Sequence, residues 1–180
     1  NTEDKAAALL DFTAEQESYL AETLAGSETP SVYLAGNSSL LSTAGNAMYQ
    51  SDMIRLAGGV NVAAEIEDTY WVEISYEQLL TWNPEYIILA AEAVYTVEDV
   101  LNAPEFQSIT AVQNGAVSTF PCNLEPWDYP STSACLGAAW AAYNLHPDLY
   151  TYDELIEDVN GLYQLLYGQT FTAEQIGITE

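Results

Sequence analysis

The run Tyr86-Ile87-Ile88-Leu89-Ala90 carries on without polar alternation. A strand of that composition is buried on both faces, which makes it a central strand of a parallel sheet with helices above and below. The residues before it strengthen the reading. Within Val72–Ala91, Ser75 is a natural N-cap, and Gln78 stands three residues on, where it can close a capping box. Leu79, Leu80 and Trp82 give the short helix its apolar face, and Asn83-Pro84 stops it, since proline disfavours helical backbone in the residue before it. A helix feeding a buried strand is the repeating unit of an α/β layer fold.

The rest of the chain fits around that unit. Thr2–Leu24 reads as a helix with a loose stripe of Ala6, Leu9, Leu10, Leu20 and Leu24, and Gly26–Pro30 as a linker. Ser31–Ala35 is a strand, and Gly36–Ser39 the loop at its C-terminal end. A helix is predicted over Ala44–Ala57, with Met48, Met53, Ile54 and Leu56 in the core; Gly58-Gly59 closes it and Val60-Asn61-Val62 leads outward. Glu65–Tyr70 is acidic and expected to be exposed. After the buried strand, Thr96 and Asp99 form a capping box for a helix over Val97–Leu101. Pro104 opens a short helical turn that ends near Ile109, and Asn114-Gly115 is a turn. Ala116–Phe120 is a third strand, followed by the loop Pro121–Tyr129. Helices then run from Ser131–Ser133 through Leu145 and over Asp153–Tyr167, and the tail Gln169–Glu180 lies across a surface. The expected fold is a three-layer α/β/α sandwich, Rossmann-like, with a mostly parallel central sheet.

Charge narrows the partners. Twenty-seven acidic residues face Lys5 and Arg55 alone, for a net charge of −25. Nucleic acid and anionic membrane both need a basic footprint, so neither is an expected partner. No apolar run approaches the roughly 20 residues of a membrane span. Cys122 and Cys135 lack metal-ligand spacing and are expected to be free, buried thiols, with a disulfide as the alternative in an oxidising compartment. His146 ends a helix away from the ligand edge, so a Ser-His-Asp or Cys-His triad has little support. No glycine pattern makes a phosphate-binding loop. With so many carboxylates an acidic hydrolase stays open as an alternative, but it would need two of them placed in a cleft.

The ligand candidates lie where parallel strands end. Open α/β sheets hold ligands outside the C-terminal ends of their strands. The three loops there carry Asn37, Ser38 and Ser39; Glu92 and Tyr95; and Asn123, Trp127 and Tyr129. Tyr49 flanks the first loop, and Trp71 serves equally as core or as cleft lining. Aromatic faces with a few hydroxyl and amide groups suit a large planar ligand.

Four stretches in order, LAGGVNVA, VEISYEQLLTWNPEYIIL, AVQNGAVSTFP and EPWDYPSTSACLGAAW, followed by NLHPDLY and LYQLLYG, resemble the C-terminal lobe of helix-linked (class III) ABC-transporter substrate-binding proteins. The resemblance implies that residues 1–26 are part of the helix joining two lobes and that 31–180 form the C-terminal α/β lobe. The chain's opening inside a helix implies upstream sequence with the other lobe. An iron-siderophore, haem or corrinoid is the implied cargo, with molybdate or tungstate as the alternative, held by helix N-termini such as the one near Ser131. The resemblance further implies an extracytoplasmic monomer, periplasmic or lipid-anchored, with no catalysis and no resident cofactor. Its partners would be a small-molecule metal chelate and ABC permease subunits. Glu125, and after it Asp128, would dock on permease arginines.

Overall fold

The computed structural model describes residues 2–67 and 70–178. Helix α1 (Thr2–Thr23) is followed by β1 (Ser31–Ala35), β2 (Ser42–Ala44), α2 (Tyr49–Leu56), β3 (Val60–Asn61), β4 (Trp71–Glu73), α3 (Tyr76–Trp82) and β5 (Tyr86–Leu89). Then come α4 (Val97–Asn102), α5 (Thr110–Asn114), β6 (Val117–Thr119), α6 (Ala134–Leu145), α7 (Tyr152–Tyr167) and α8 (Ala173–Ile176). Short 3-10 turns span Val62–Glu65 and Pro104–Phe106.

The sheet runs β4-β2-β1-β5-β6, with β3 also paired to β1. β1, β3, β5 and β6 are parallel, and β2 and β4 extend the sheet antiparallel beyond the end of β1. Side chains of the central strands alternate between two cores. Val32, Leu34 and Ile88 pack against α1, α2, α6, α7 and α8. Tyr33, Ala35, Ile87 and Leu89 pack against α3, α4 and α5. This is the expected three-layer α/β arrangement.

Local signals hold at most of the boundaries. The Ser75 hydroxyl accepts from the Gln78 N–H at 3.2 Å, the forward half of the box, and Asn83 ends α3 with a left-handed φ of 43°. Thr96 with Asp99, and Thr151 with Glu154, form complete capping boxes. Both cysteines are free, but Cys122 is exposed rather than buried and Cys135 is half-buried.

Several expectations need correction. The helix predicted over Ala44–Ala57 begins at Tyr49, because Ser42–Ala44 is instead drawn into β2 by pairing with β1 and β4. Val60-Asn61 does not lead outward: it pairs with Ser31 and Val32, and the Asn61 amide donates to the Ala44 carbonyl at 2.7 Å, splicing β3 to β2. Thr110–Asn114, read only as the approach to a turn, is α5. Leu10 is 71% exposed rather than part of the inward stripe of α1. Of the acidic stretch Glu65–Tyr70, Asp68 and Thr69 lie outside the described residues, and Glu65, Glu67 and Tyr70 are exposed.

With two cations in the chain, carboxylates find other donors. Tyr150 donates to Asp158 at 2.6 Å, Trp82 to Glu65 at 2.7 Å, Tyr167 to Glu125 at 3.4 Å, and Tyr19 to Glu154.

Candidate functional site

The loops after β1, β5 and β6 leave the same edge of the sheet and are tied to one another. The Val94 N–H donates to the Asn37 carbonyl at 2.9 Å, and the Tyr95 hydroxyl donates to the Gly36 carbonyl at 2.7 Å. The Ala91 N–H donates to Asp128 Oδ2 at 3.1 Å, and the Tyr129 hydroxyl donates to Glu92. From the first turn of α2, the Tyr49 hydroxyl and the Gln50 amide both donate to the Asp128 carbonyl, the latter at 3.0 Å. These bonds fix a concave cavity of about 260 Å³ lined by Asn37, Met48, Tyr49, Gln50, Trp71, Asp128, Tyr129 and Pro130.

Four of the ten predicted ligand residues line that cavity: Asn37, Tyr49, Trp71 and Tyr129. Ser38 is exposed on the loop beside it, and the Ser39 hydroxyl holds the turn by accepting from the Leu41 N–H at 3.1 Å. Glu92 and Tyr95 act as ties of the rim. Asn123 is turned away, with its amide on the Glu174 carbonyl at 3.2 Å and against Gly177.

Two placements are corrections. Trp127 is not an exposed platform: it is 1% exposed, with its indole N–H on the Tyr163 hydroxyl at 2.9 Å, because α7 and α8 close over the loop that carries it. Asp128, predicted to dock on a permease, is also 1% exposed and is held inside by the Ala91 N–H. Glu125 remains half-buried beside Tyr167. Gln50, 4% exposed at the cavity wall, was missed, since a glutamine in a helix normally faces water.

The electrostatics are unusual for a site. Burial raises the Asp128 carboxyl above the usual carboxylate range; the Ala91 N–H pulls it down, and Glu92 pushes it up. Asp128 Oδ1, Gln50 Oε1 and Asn37 Oδ1 are buried acceptors without a partner among the described residues. Burial likewise raises the Tyr49 and Tyr95 phenols, so both remain donors. An apolar cavity of about 200 Å³ between α1, α2 and α6 is lined by Leu20, Met53 and Cys135. Burial pushes the Cys135 thiol up to about 11, which makes it a poor nucleophile.

A carboxyl that titrates higher in the fold than in the unfolded chain contributes stability below its unfolded value, and that contribution is lost as pH rises through the folded value. Asp128→Asn keeps the shape and stays neutral. It is expected to be more stable than the parent at neutral pH, with the gain closing as pH falls through the carboxylate range. Urea midpoints at neutral and acid pH measure this, and a gain unchanged in acid would assign the effect to packing instead.

Residues 1–124 match the family described as periplasmic binding protein. Molybdate-binding protein MolA of Haemophilus influenzae is 31% identical over 132 residues, which is 73% of this chain and 37% of that protein. The solved structure of MolA with molybdate superposes with a TM-score of 0.77 at 27% identity, covering 92% of this chain and 51% of that one. An ABC transporter solute-binding protein from Sulfurospirillum deleyianum gives a TM-score of 0.84 at 29% identity, covering 96% of this chain and 55% of that one. The chain thus spans 37% of the curated relative and about half of the solved ones.

Proposed function

The chain belongs to the periplasmic binding protein family, and from that membership we propose that it is the C-terminal lobe of a solute-binding protein serving an ABC importer. In this reading α1 is part of the helix to the other lobe, and the protein works outside the cytoplasm as a monomer. No helix among the described residues is long and apolar enough to cross a membrane. The cross-tied edge of the sheet carries the argument. The loops after β1 and β6, the start of α2 and Trp71 line one preformed concavity, braced by the loop after β5, at the place where open α/β sheets hold ligands. Its task is capture and delivery, with the ligand closed between two lobes.

For the cargo, a metal chelate such as an iron-siderophore, haem or corrinoid fits the rim. Trp71 is 42% exposed and Tyr129 37% exposed, which offers aromatic faces to a large ligand. Molybdate is the second reading, favoured by the likeness to MolA. Against it, the residues that line the cavity include no cationic side chain, and the Ser133 N–H at the start of α6 is already taken up by the Ser131 hydroxyl at 3.3 Å.

The test is a titration of the two-lobed protein with a ferric hydroxamate, a corrinoid and molybdate, read by the fluorescence of Trp71. Saturable quenching by a chelate, much weaker in the 180-residue chain alone, is the expected result, because half a cleft loses most of the buried contact. Tight binding of molybdate alone would transfer the protein to the second reading. Delivery is tested apart from capture. Glu125→Arg is expected to abolish transport at unchanged ligand affinity, since opposite charges across an interface steer and register the encounter. Normal transport would remove Glu125 from the docking surface.

A further inference from the structure

The apolar cavity of about 200 Å³ between α1, α2 and α6 lies beside the ligand cleft and shares only Tyr49 with it. The space is open because the side chains that meet there are short. From α6 come Ala134, Cys135 and Ala138, and α1 brings Thr13, whose hydroxyl lies beside the Cys135 thiol. The buried residues of the lining include Leu20, Met53 and Ala138. Packed interiors leave few voids larger than a water molecule, so this is room that the fold itself does not fill.

The chemistry of the wall selects the occupant. Polar groups that border the cavity are engaged elsewhere. The Thr13 hydroxyl donates to the Leu9 carbonyl at 3.0 Å, the Gln16 amide nitrogen to Asp158 at 3.3 Å, and the Tyr49 hydroxyl to the Asp128 carbonyl. An ordered water needs about two to four polar partners, so water in such a space is poorly held. Displacing poorly ordered water by an apolar group gains affinity. Apolar cavities of about 150 Å³ take up benzene. Charge narrows the class further. Glu17 and Asp52 are the exposed residues of the lining, so the rim carries carboxylates and disfavours an anion.

We propose that this cavity is a second ligand site, separate from the cleft, and that it takes a free, uncharged apolar molecule the size of one six-membered ring. Such an occupant touches all three helices and fastens α1 to α2 and α6. The site stands apart from the solute-binding reading, because none of its residues except Tyr49 belongs to the cleft.

The chain supplies its own reporters for the test. It has two methionines, Met53 on this cavity and Met48 on the cleft. The 180-residue chain, labelled at the methionine methyls, is titrated with fluorobenzene and followed by nuclear magnetic resonance. The expected result is a saturable shift at Met53 and at the Ala138 methyl, with Met48 unmoved. Benzoate, the same ring with a negative charge, should move neither at the same concentration. Cys135→Leu puts a larger apolar side chain into the space. It should remove the Met53 response while the urea midpoint holds or rises, as for a filled cavity. If that variant lowers the midpoint, Ala134→Leu fills the same space from another half-buried position. A Met53 response that survives both substitutions would overturn the site. A shift at Met48 alone would put the ring in the cleft and overturn it too, as would no saturable shift at Met53 up to the solubility of fluorobenzene. Benzoate binding as well as fluorobenzene would overturn the selection for an uncharged molecule. None of these outcomes bears on the solute-binding reading, which the two-lobed titration decides.

Discussion

Trp127→Ala is expected to cost about 3–5 kcal/mol, the range for emptying a buried large aromatic site. The indole is the largest fully buried side chain among the described residues, and its N–H bond to Tyr163 joins the loop after β6 to α7. Tyr163 is itself packed edge-on to Phe171 at 5.3 Å, so the cavity left behind has rigid walls and collapses poorly. Set against a typical total stability of about 5–15 kcal/mol, this loss brings the fold near its limit. Trp127→Phe keeps most of the ring volume and should lose only about 1–2 kcal/mol, through the unpaired Tyr163 hydroxyl. Urea denaturation separates the two, with a lower midpoint at unchanged slope. A near-neutral Trp127→Ala would return the indole to the solvent-facing role its sequence context suggests.

Gly137→Ala carries the second large effect, and its sign is the informative part. In an exposed helix interior, alanine in place of glycine gains about 1 kcal/mol. Here a Cβ at position 137 would stand 2.5 Å from the Trp127 carbonyl oxygen and 3.1 Å from Met53 Sδ. The thioether can swing aside, but a backbone carbonyl moves only with its chain. Relief therefore pushes the Trp127-Asp128 segment off α6, and the net change should be a loss of about 1–3 kcal/mol, as for an overpacked core. The Ala91 N–H to Asp128 bond should loosen with it, which amide hydrogen exchange at Ala91 reads directly. A gain in stability with Ala91 protection intact would show that the helix and loop are not in that contact.

Both substitutions probe a loop whose character the sequence hides. The central strands are legible because Val32–Ala35 and Tyr86–Leu89 are short runs apolar on both faces and bounded by turn residues, as a central parallel strand is. Caps are legible because their chemistry is local: Thr96 and Asp99 find each other within one turn. Ser42-Thr43-Ala44 is not legible, since its strand state comes from partners at Ala35 and at Trp71–Glu73 rather than from its own propensity. Trp127 sits among prolines and acids that read as surface, and its burial depends on Tyr163, 36 residues on. Asp128 and Gln50 fail for a related reason. Glutamine and aspartate are taken as exposed by default, and only the folded chain shows which backbone groups claim one end of each and leave the other free.

The phenol-to-carboxylate bonds of Tyr150, Tyr19 and Tyr167 have a consequence for brine and alkali. A donor without charge attracts no counter-ion, so dissolved salt competes little for these contacts. Raising ionic strength from 0.1 to 1 M shortens the Debye length from about 10 to about 3 Å and chiefly relaxes repulsion among the acids. An alkaline medium is tolerated by the same means, because burial first and then Asp158 hold the Tyr150 phenol well above its ordinary value, and the bond to Glu154 does the same for Tyr19. The chain is expected to keep its polar fastenings in alkali, and its urea midpoint is expected to rise with salinity, where a fold stapled by ion pairs would weaken.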